Sequence, residues 1–99
     1  DITAYDEKAA KKGFIAENLE PIEQLKTALV NLHSYDPLSI ESSLKSTASQ
    51  VNMKPGKLIQ ATRLACTGSP VGPSLWHLME VLGREKVVQR LTSAQEQMR

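Results

Sequence analysis

Aromatic side chains are scarce in this sequence, with one Trp, one Phe and two Tyr among 99 residues. A core with so few rings must be assembled from Leu, Ile, Val and Ala, which suits packed helices better than a sheet. Cysteine occurs once, at Cys66, so no internal disulfide can form and a reducing, cytoplasmic setting is expected. No apolar run approaches the ~18–20 residues that a membrane-spanning helix needs, and no signal peptide is visible, so no membrane partner is expected. Sustained β-alternation, internal repeats and low-complexity tracts are missing as well. There is no Gly-rich phosphate loop, nucleophile motif or suitably spaced acidic pair. His33 and His77 lack metal-ligand spacing with Cys66. No catalytic residue, metal ligand or cofactor site is therefore expected. The histidines read as surface or helix-end residues, and Cys66 as a small buried hydrophobe.

What is present is enough for one small domain, with a radius near ~13 Å and a narrow stability margin. Asp1 stands where an initiator methionine is absent, which points to a piece of a longer chain. Charge is unevenly placed. Residues 1–50 hold eight acidic side chains against five lysines, whereas residues 51–99 hold three acidic side chains against seven basic ones. A polyanion would meet the second half.

Periodicity predicts an all-α chain, a compact bundle of about five to six short helices. Tyr5 to Lys12 reads as the first, stopped by Gly13. A second runs from about Asn18 to Leu32, with Pro21 tolerated in its first turn and Leu19, Ile22, Leu25, Leu29 and Leu32 on one stripe. Asp36-Pro37 is a cap and first helical residue for a third helix, buried through Ile40, Leu44, Ala48 and Val51. Lys54-Pro55-Gly56-Lys57 reads as a turn before a fourth helix, about Leu58 to Thr67, ended by Gly68. Ser74 to Leu82 buries Leu75, Leu78, Met79 and Leu82. After Gly83 the last helix, Arg84 to about Gln97, buries Val87, Val88, Leu91 and Ala94. Trp76 reads as core, with its ring bordering the preceding loop.

Between the fourth and fifth helices lies Gly68-Ser69-Pro70-Val71-Gly72-Pro73. Pro70 and Pro73 stiffen it, and Gly72 permits close approach of another backbone or a base. The free N–H groups of the following helix turn suit phosphate or base oxygens. Arg63, just over one turn before Gly68, can reach the same rim, where a guanidinium beside a rigid shelf can stack on or fork to an unpaired base. The residues alone leave two readings open: this RNA-facing shelf, or a stiff connector with Arg63 in a salt bridge.

The run from Lys57 to Leu91 resembles the C-terminal anticodon-binding region of bacterial-type glutamyl-tRNA synthetases. Against that family's QPLRxALTG, SPGLFE and LGKExxLxRL blocks, this chain has Gln60 to Gly68 (QATRLACTG), Gly72 to His77 (GPSLWH), and Leu82-Gly83-Arg84-Glu85 with Arg90-Leu91. Tyr5 to Lys8 and the helix start at Tyr35-Asp36 also fit, so the likeness spans nearly the whole chain. The resemblance implies a helical segment, 1–50, joining a preceding anticodon-binding subdomain. It further implies an anticodon-reading subdomain, 51–99, the two packed as one unit. It implies that Arg63 and Leu75 meet the third anticodon base of glutamate tRNA, and that Gly72 and Pro73 border the middle one. Lys54 and Lys57 are candidate phosphate contacts. The implied parent, lying mainly N-terminal to Asp1, attaches glutamate to tRNA with ATP and magnesium; this part alone would bind without catalysing.

The chain departs from the family pattern in several places. Ala61 and Thr62 replace Pro-Leu, which predicts a regular helix where the family's is kinked. Gly72 lacks a hydroxyl, leaving only its backbone for the middle base. Ser74 replaces Gly and His77 replaces Glu, making the neighbourhood less acidic. Two other functions compete with RNA reading. One is a helix-turn-helix regulator of duplex DNA using Ser74–Leu82 and Arg84–Gln97, although its last helix offers few base-reading residues besides Gln89 and Arg90. The other is a plain helical interaction domain.

Overall fold

The computed structural model describes residues 4–99, and these contain six α-helices and no strand. They are α1 (Glu7–Gly13), α2 (Leu19–Val30), α3 (Pro37–Gln50), α4 (Pro55–Thr67), α5 (Leu75–Leu82) and α6 (Arg84–Met98), with a 3₁₀ turn at Ala16–Asn18 before α2. Asp1, taken in the sequence as the junction with a parent chain, lies outside the described residues.

Most helix ends have a chemical cause. Asp6 caps α1 by accepting the Ala9 N–H at 2.8 Å, and Asp36 caps α3 by accepting the Ser39 N–H at the same distance. Pro37 follows Asp36 at the first helical position, where a missing N–H costs nothing. The same rule corrects the expected start of α4. Pro55 is itself the first helical residue, after an extended Lys54, so Lys54 to Lys57 opens the helix instead of forming a separate turn. Gly68, at φ 82°, ends α4 in the left-handed conformation that glycine adopts without strain. Gly13 works differently from expectation. It is the last residue inside α1, before Phe14 as C-cap, and it lies against α4, where an added Cβ would meet the Ala61 Cα at an ordinary contact distance of 3.8 Å. Asn18 precedes α2 in the 3₁₀ turn, where its side-chain amide donates to the Gly13 carbonyl at 2.7 Å. At the end of α3, Asn52 takes a left-handed φ of 59°. The sequence reading did not foresee it.

The core draws on every helix except α1, which packs Ala9 and Ala10 against it. Ile22, Leu25 and Leu29 of α2, Ile40, Leu44 and Ala48 of α3, and Leu58, Leu64 and Ala65 of α4 are buried. They meet Leu75 and Met79 of α5 and Val87, Leu91 and Ala94 of α6. Leu19, Leu32, Leu78 and Leu82 sit at the margin, and Val51 and Val88 are only half-buried. Leu32 and Val51 lie just past the ends of α2 and α3; α2 stops at Val30, short of the expected end at Leu32, and α3 stops at Gln50. Truncating a core leucine such as Leu25 or Leu91 to Ala would cost about 2–5 kcal/mol. Ala61 and Thr62 lie within the uninterrupted α4, as the departure from Pro-Leu predicts.

Candidate functional site

The segment between α4 and α5 is built by short hydrogen bonds. The Thr67 hydroxyl donates to the Arg63 carbonyl at 2.8 Å and accepts the Ser69 N–H at 3.1 Å, so the last turn of α4 fixes the first residue after it. The Ser69 hydroxyl in turn contacts the carbonyl and N–H of Val71 at 3.1 and 3.3 Å. Beyond this point the backbone rises into solvent. Val71 is 74% exposed, and Gly72, Pro73 and Ser74 are exposed with it.

Arg63 reaches back over the segment. Its Nη1 donates to the Pro73 carbonyl at 2.6 Å. A Cβ on Gly72 would stand 3.5 Å from the same nitrogen. The glycine therefore leaves one side of the guanidinium open, and the arginine is held without a carboxylate. The salt-bridged connector of the sequence reading is not what forms: among the described residues Arg63 pairs with no acid. Half-buried Arg63 is brought together with exposed Gly72 and Pro73 at one edge of the molecule.

Leu75 is placed otherwise. At 2% exposed it belongs to the core, as its helical spacing with Leu78, Met79 and Leu82 predicts, and its side chain is not presented at the exposed edge. Its burial follows from its position in the first turn of α5, on the same face as Met79. Trp76 is half-buried and packs against the core. Ser74 accepts the first backbone bond of α5 from Leu78 at 3.1 Å, but its hydroxyl faces the His77 Nδ1 at 3.0 Å and caps no N–H. Lys54 and Lys57 stand at the opposite end of α4 from Arg63. They line a groove of ≈ 750 Å³ between α1, the α3–α4 junction and α4, to which Lys12 and Pro70 also contribute. Pro70 thus joins the groove to the exposed segment.

Three contacts at the end of α4 were not anticipated from the sequence. Arg90 of α6 donates to the Cys66 carbonyl, and the Asp6 N–H donates to the Gly68 carbonyl at 2.8 Å. Both join segments far apart in the chain, and no local pattern announces them. The third, the Thr67–Ser69 turn, does carry a local signal, since a hydroxyl two residues before a backbone N–H is common turn chemistry. Cys66 is buried, and desolvation pushes its thiol up to about 12. It is an inert interior group. Among the described residues no cluster of three His, Cys, Asp or Glu side chains could hold a metal ion. No helix among them is long and apolar enough to cross a membrane.

Arg90 also bears on the helix-turn-helix alternative. A recognition helix must present its polar residues outward. In α6, Arg90 is half-buried and turned to the end of α4, which removes one of the two residues suited to base edges.

Comparison with known proteins agrees with this architecture. The chain is 33% identical over 92 residues to a glutamate–tRNA ligase of Chlorobium phaeobacteroides, an alignment covering 93% of this chain and 18% of the ligase. It is 35% identical over 91 residues to glutamate–tRNA ligase 2 of Caldicellulosiruptor saccharolyticus, covering 92% and 19%. The crystal structure of a glutamate tRNA ligase from Elizabethkingia meningosepticum superposes with a TM-score of 0.91 at 28% identity, over 99% of this chain and 19% of that one. The chain thus spans about a fifth of the length of the relatives it matches. The family model described as an anticodon binding domain matches residues 1–95, and the chain belongs to that family.

Proposed function

We propose that the exposed edge formed by Arg63, Gly72 and Pro73 reads anticodon bases of glutamate tRNA, as part of a cytoplasmic, ATP-dependent glutamate–tRNA ligase. The hydrogen bond from Arg63 Nη1 to the Pro73 carbonyl carries this reading, because it fixes a cation at a stiff, solvent-open ledge. One donor is engaged, and the remaining N–H edges and the planar face stay available to a splayed base. The ledge is organised before RNA arrives, so little conformational freedom is lost on docking. Pro73 and the backbone of Gly72 border the middle base, and Leu75 supports them from below. Lys54 and Lys57 contact phosphates along the groove that ends at Pro70. Magnesium–ATP and the chemistry of glutamate transfer belong to the remainder of the parent chain, since this chain spans only about a fifth of the length of the ligases it matches.

The test is binding of glutamate tRNA to the full-length parent enzyme carrying Arg63→Ala, with Lys45→Ala as a surface control. The expected loss for Arg63→Ala is about 1–3 kcal/mol. Equal affinity in both variants would overturn the reading. Tighter binding of duplex DNA than of tRNA would favour the DNA-regulator alternative.

A further inference from the structure

The end of α4 is where three separate parts of the chain meet. Arg90 of α6 donates from Nη1 to the Cys66 carbonyl at 2.5 Å. The Asp6 N–H, just before α1, donates to the Gly68 carbonyl at 2.8 Å, and the Gly68 N–H closes the helix on the Leu64 carbonyl at 2.7 Å. The charge of Arg90 also acts, against desolvation, on both the Tyr5 hydroxyl and the Cys66 thiol. The final carbonyls of a helix have no partner within it. A half-buried guanidinium is the strongest donor a side chain can offer them, and its charge also suits the negative end of the helix.

This last turn is the one from which the RNA-facing ledge springs. Cys66 precedes Thr67, whose hydroxyl bonds the Arg63 carbonyl on one side and the Ser69 N–H on the other. Arg63 then crosses to Pro73. The ledge is therefore a closed chain of bonds, and the carbonyl beside its foot is held from α6.

We infer that Arg90 is a positioning residue for RNA recognition: by holding the Cys66 carbonyl it fixes the direction in which residues 69–74 leave α4, and with it the place of Arg63 and Pro73. The inference rests on the reading of that ledge as the anticodon contact. Recognition geometry tolerates displacements of only about 0.5 Å, so a loosened last turn would blur base discrimination even though Arg63 itself is intact.

The experiment measures aminoacylation by the full-length parent with Arg90→Gln and Arg90→Lys, alongside Arg63→Ala. The tRNA substrates are glutamate tRNA and a copy substituted at the third anticodon base. Arg90→Gln is expected to raise KM for glutamate tRNA about tenfold, with kcat within about twofold and KM for glutamate and ATP unchanged. It should also narrow the discrimination against the substituted tRNA. Arg90→Lys keeps the charge and one donor and should recover part of both effects, which also covers the case in which the glutamine variant folds poorly. An Arg90→Gln enzyme with normal KM and normal discrimination, whether or not its melting temperature falls, would overturn the inference. Arg63→Ala separates the two ideas. If it too leaves KM and discrimination unchanged, the anticodon reading itself has failed. If it impairs both while Arg90→Gln does not, only the positioning role has failed.

Discussion

Arg63 and Pro73, ten residues apart, are joined by a 2.6 Å hydrogen bond from guanidinium to carbonyl that lies at the surface and not in the core. Its exposure separates stability from recognition. A surface hydrogen bond of this kind contributes on the order of 1 kcal/mol or less to folding, whereas a fork or stack on a base is worth about 1–3 kcal/mol of discrimination. Arg63→Lys should therefore leave thermal stability nearly unchanged while reducing discrimination at the third anticodon base. A lysine keeps the charge, but it lacks the planar face and the paired donors. The measurement is the ratio of binding constants for cognate and base-substituted tRNA, set beside a melting curve. A large fall in melting temperature with the ratio intact would assign Arg63 to the fold.

Lys54 and Lys57 should behave differently from Arg63. They line a groove that meets the ledge only at Pro70, apart from Arg63, Gly72 and Pro73, so their contribution is charge and not base reading. Each phosphate neutralised steepens the dependence of affinity on salt by about 0.7–0.9 in logarithmic slope. The double variant Lys54→Gln, Lys57→Gln should flatten that slope by about 1–2 and weaken cognate and substituted tRNA alike. Titrations of the parent enzyme across a range of salt concentrations decide it. An unchanged slope removes both lysines from the interface.

Local signals made much of the fold legible. Asp36-Pro37 specified the start of α3, and Gly68 the end of α4, because each condition depends only on the residue and its neighbours. The three- and four-residue steps of Ile22, Leu25 and Leu29 named a buried face correctly, since burial on a helix repeats with its turn. The sequence misjudged Pro55, which can either make a turn or begin a helix; the surrounding packing chose the helix. For Leu75 two signals pulled apart. Helical spacing buried it beside Met79, as found, whereas the family motif set it beside a base, because a motif position shows which residue is present but not which way its side chain faces. The contacts of Arg90 and the Asp6 N–H escaped notice for a related reason. Their partners, Cys66 and Gly68, are brought near only by the tertiary fold.

The cap at Asp36 gives a direct test of local design. Its carboxylate accepts the Ser39 N–H at 2.8 Å, and Pro37 occupies the first helical position beside it. Asp36→Ala leaves that donor without its side-chain partner and should cost about 1 kcal/mol. For a domain of this size the corresponding fall in melting temperature is roughly 4–8 °C. Asp36→Asn, which keeps an acceptor oxygen, should lose much less. Circular-dichroism melts of the three proteins would show this order, and equal losses for Ala and Asn would mean that charge, not the hydrogen bond, is what matters at this site.

The buried thiol of Cys66 predicts how stability responds to alkali. Desolvation raises it from an ordinary 9.0 to about 12, against a smaller opposing influence of Arg90. Below pH 9 both folded and unfolded chains hold the proton, so the thiol adds no pH dependence. Between pH 9 and about 12 the unfolded chain releases the proton while the folded chain retains it, and stability falls as pH rises. The slope from one such group is at most about 1.4 kcal/mol per pH unit. Cys66→Ala should lower stability by a constant amount, through lost packing, and make the alkaline decline shallower. Part of the decline remains, because burial also raises the Tyr35 and Tyr5 hydroxyls. Urea melts at intervals from pH 8 to pH 11 measure both slopes. Parallel curves for the two proteins would show that the thiol ionises no later in the folded chain than in the unfolded one, and that Cys66 is not as deeply enclosed as its complete burial requires.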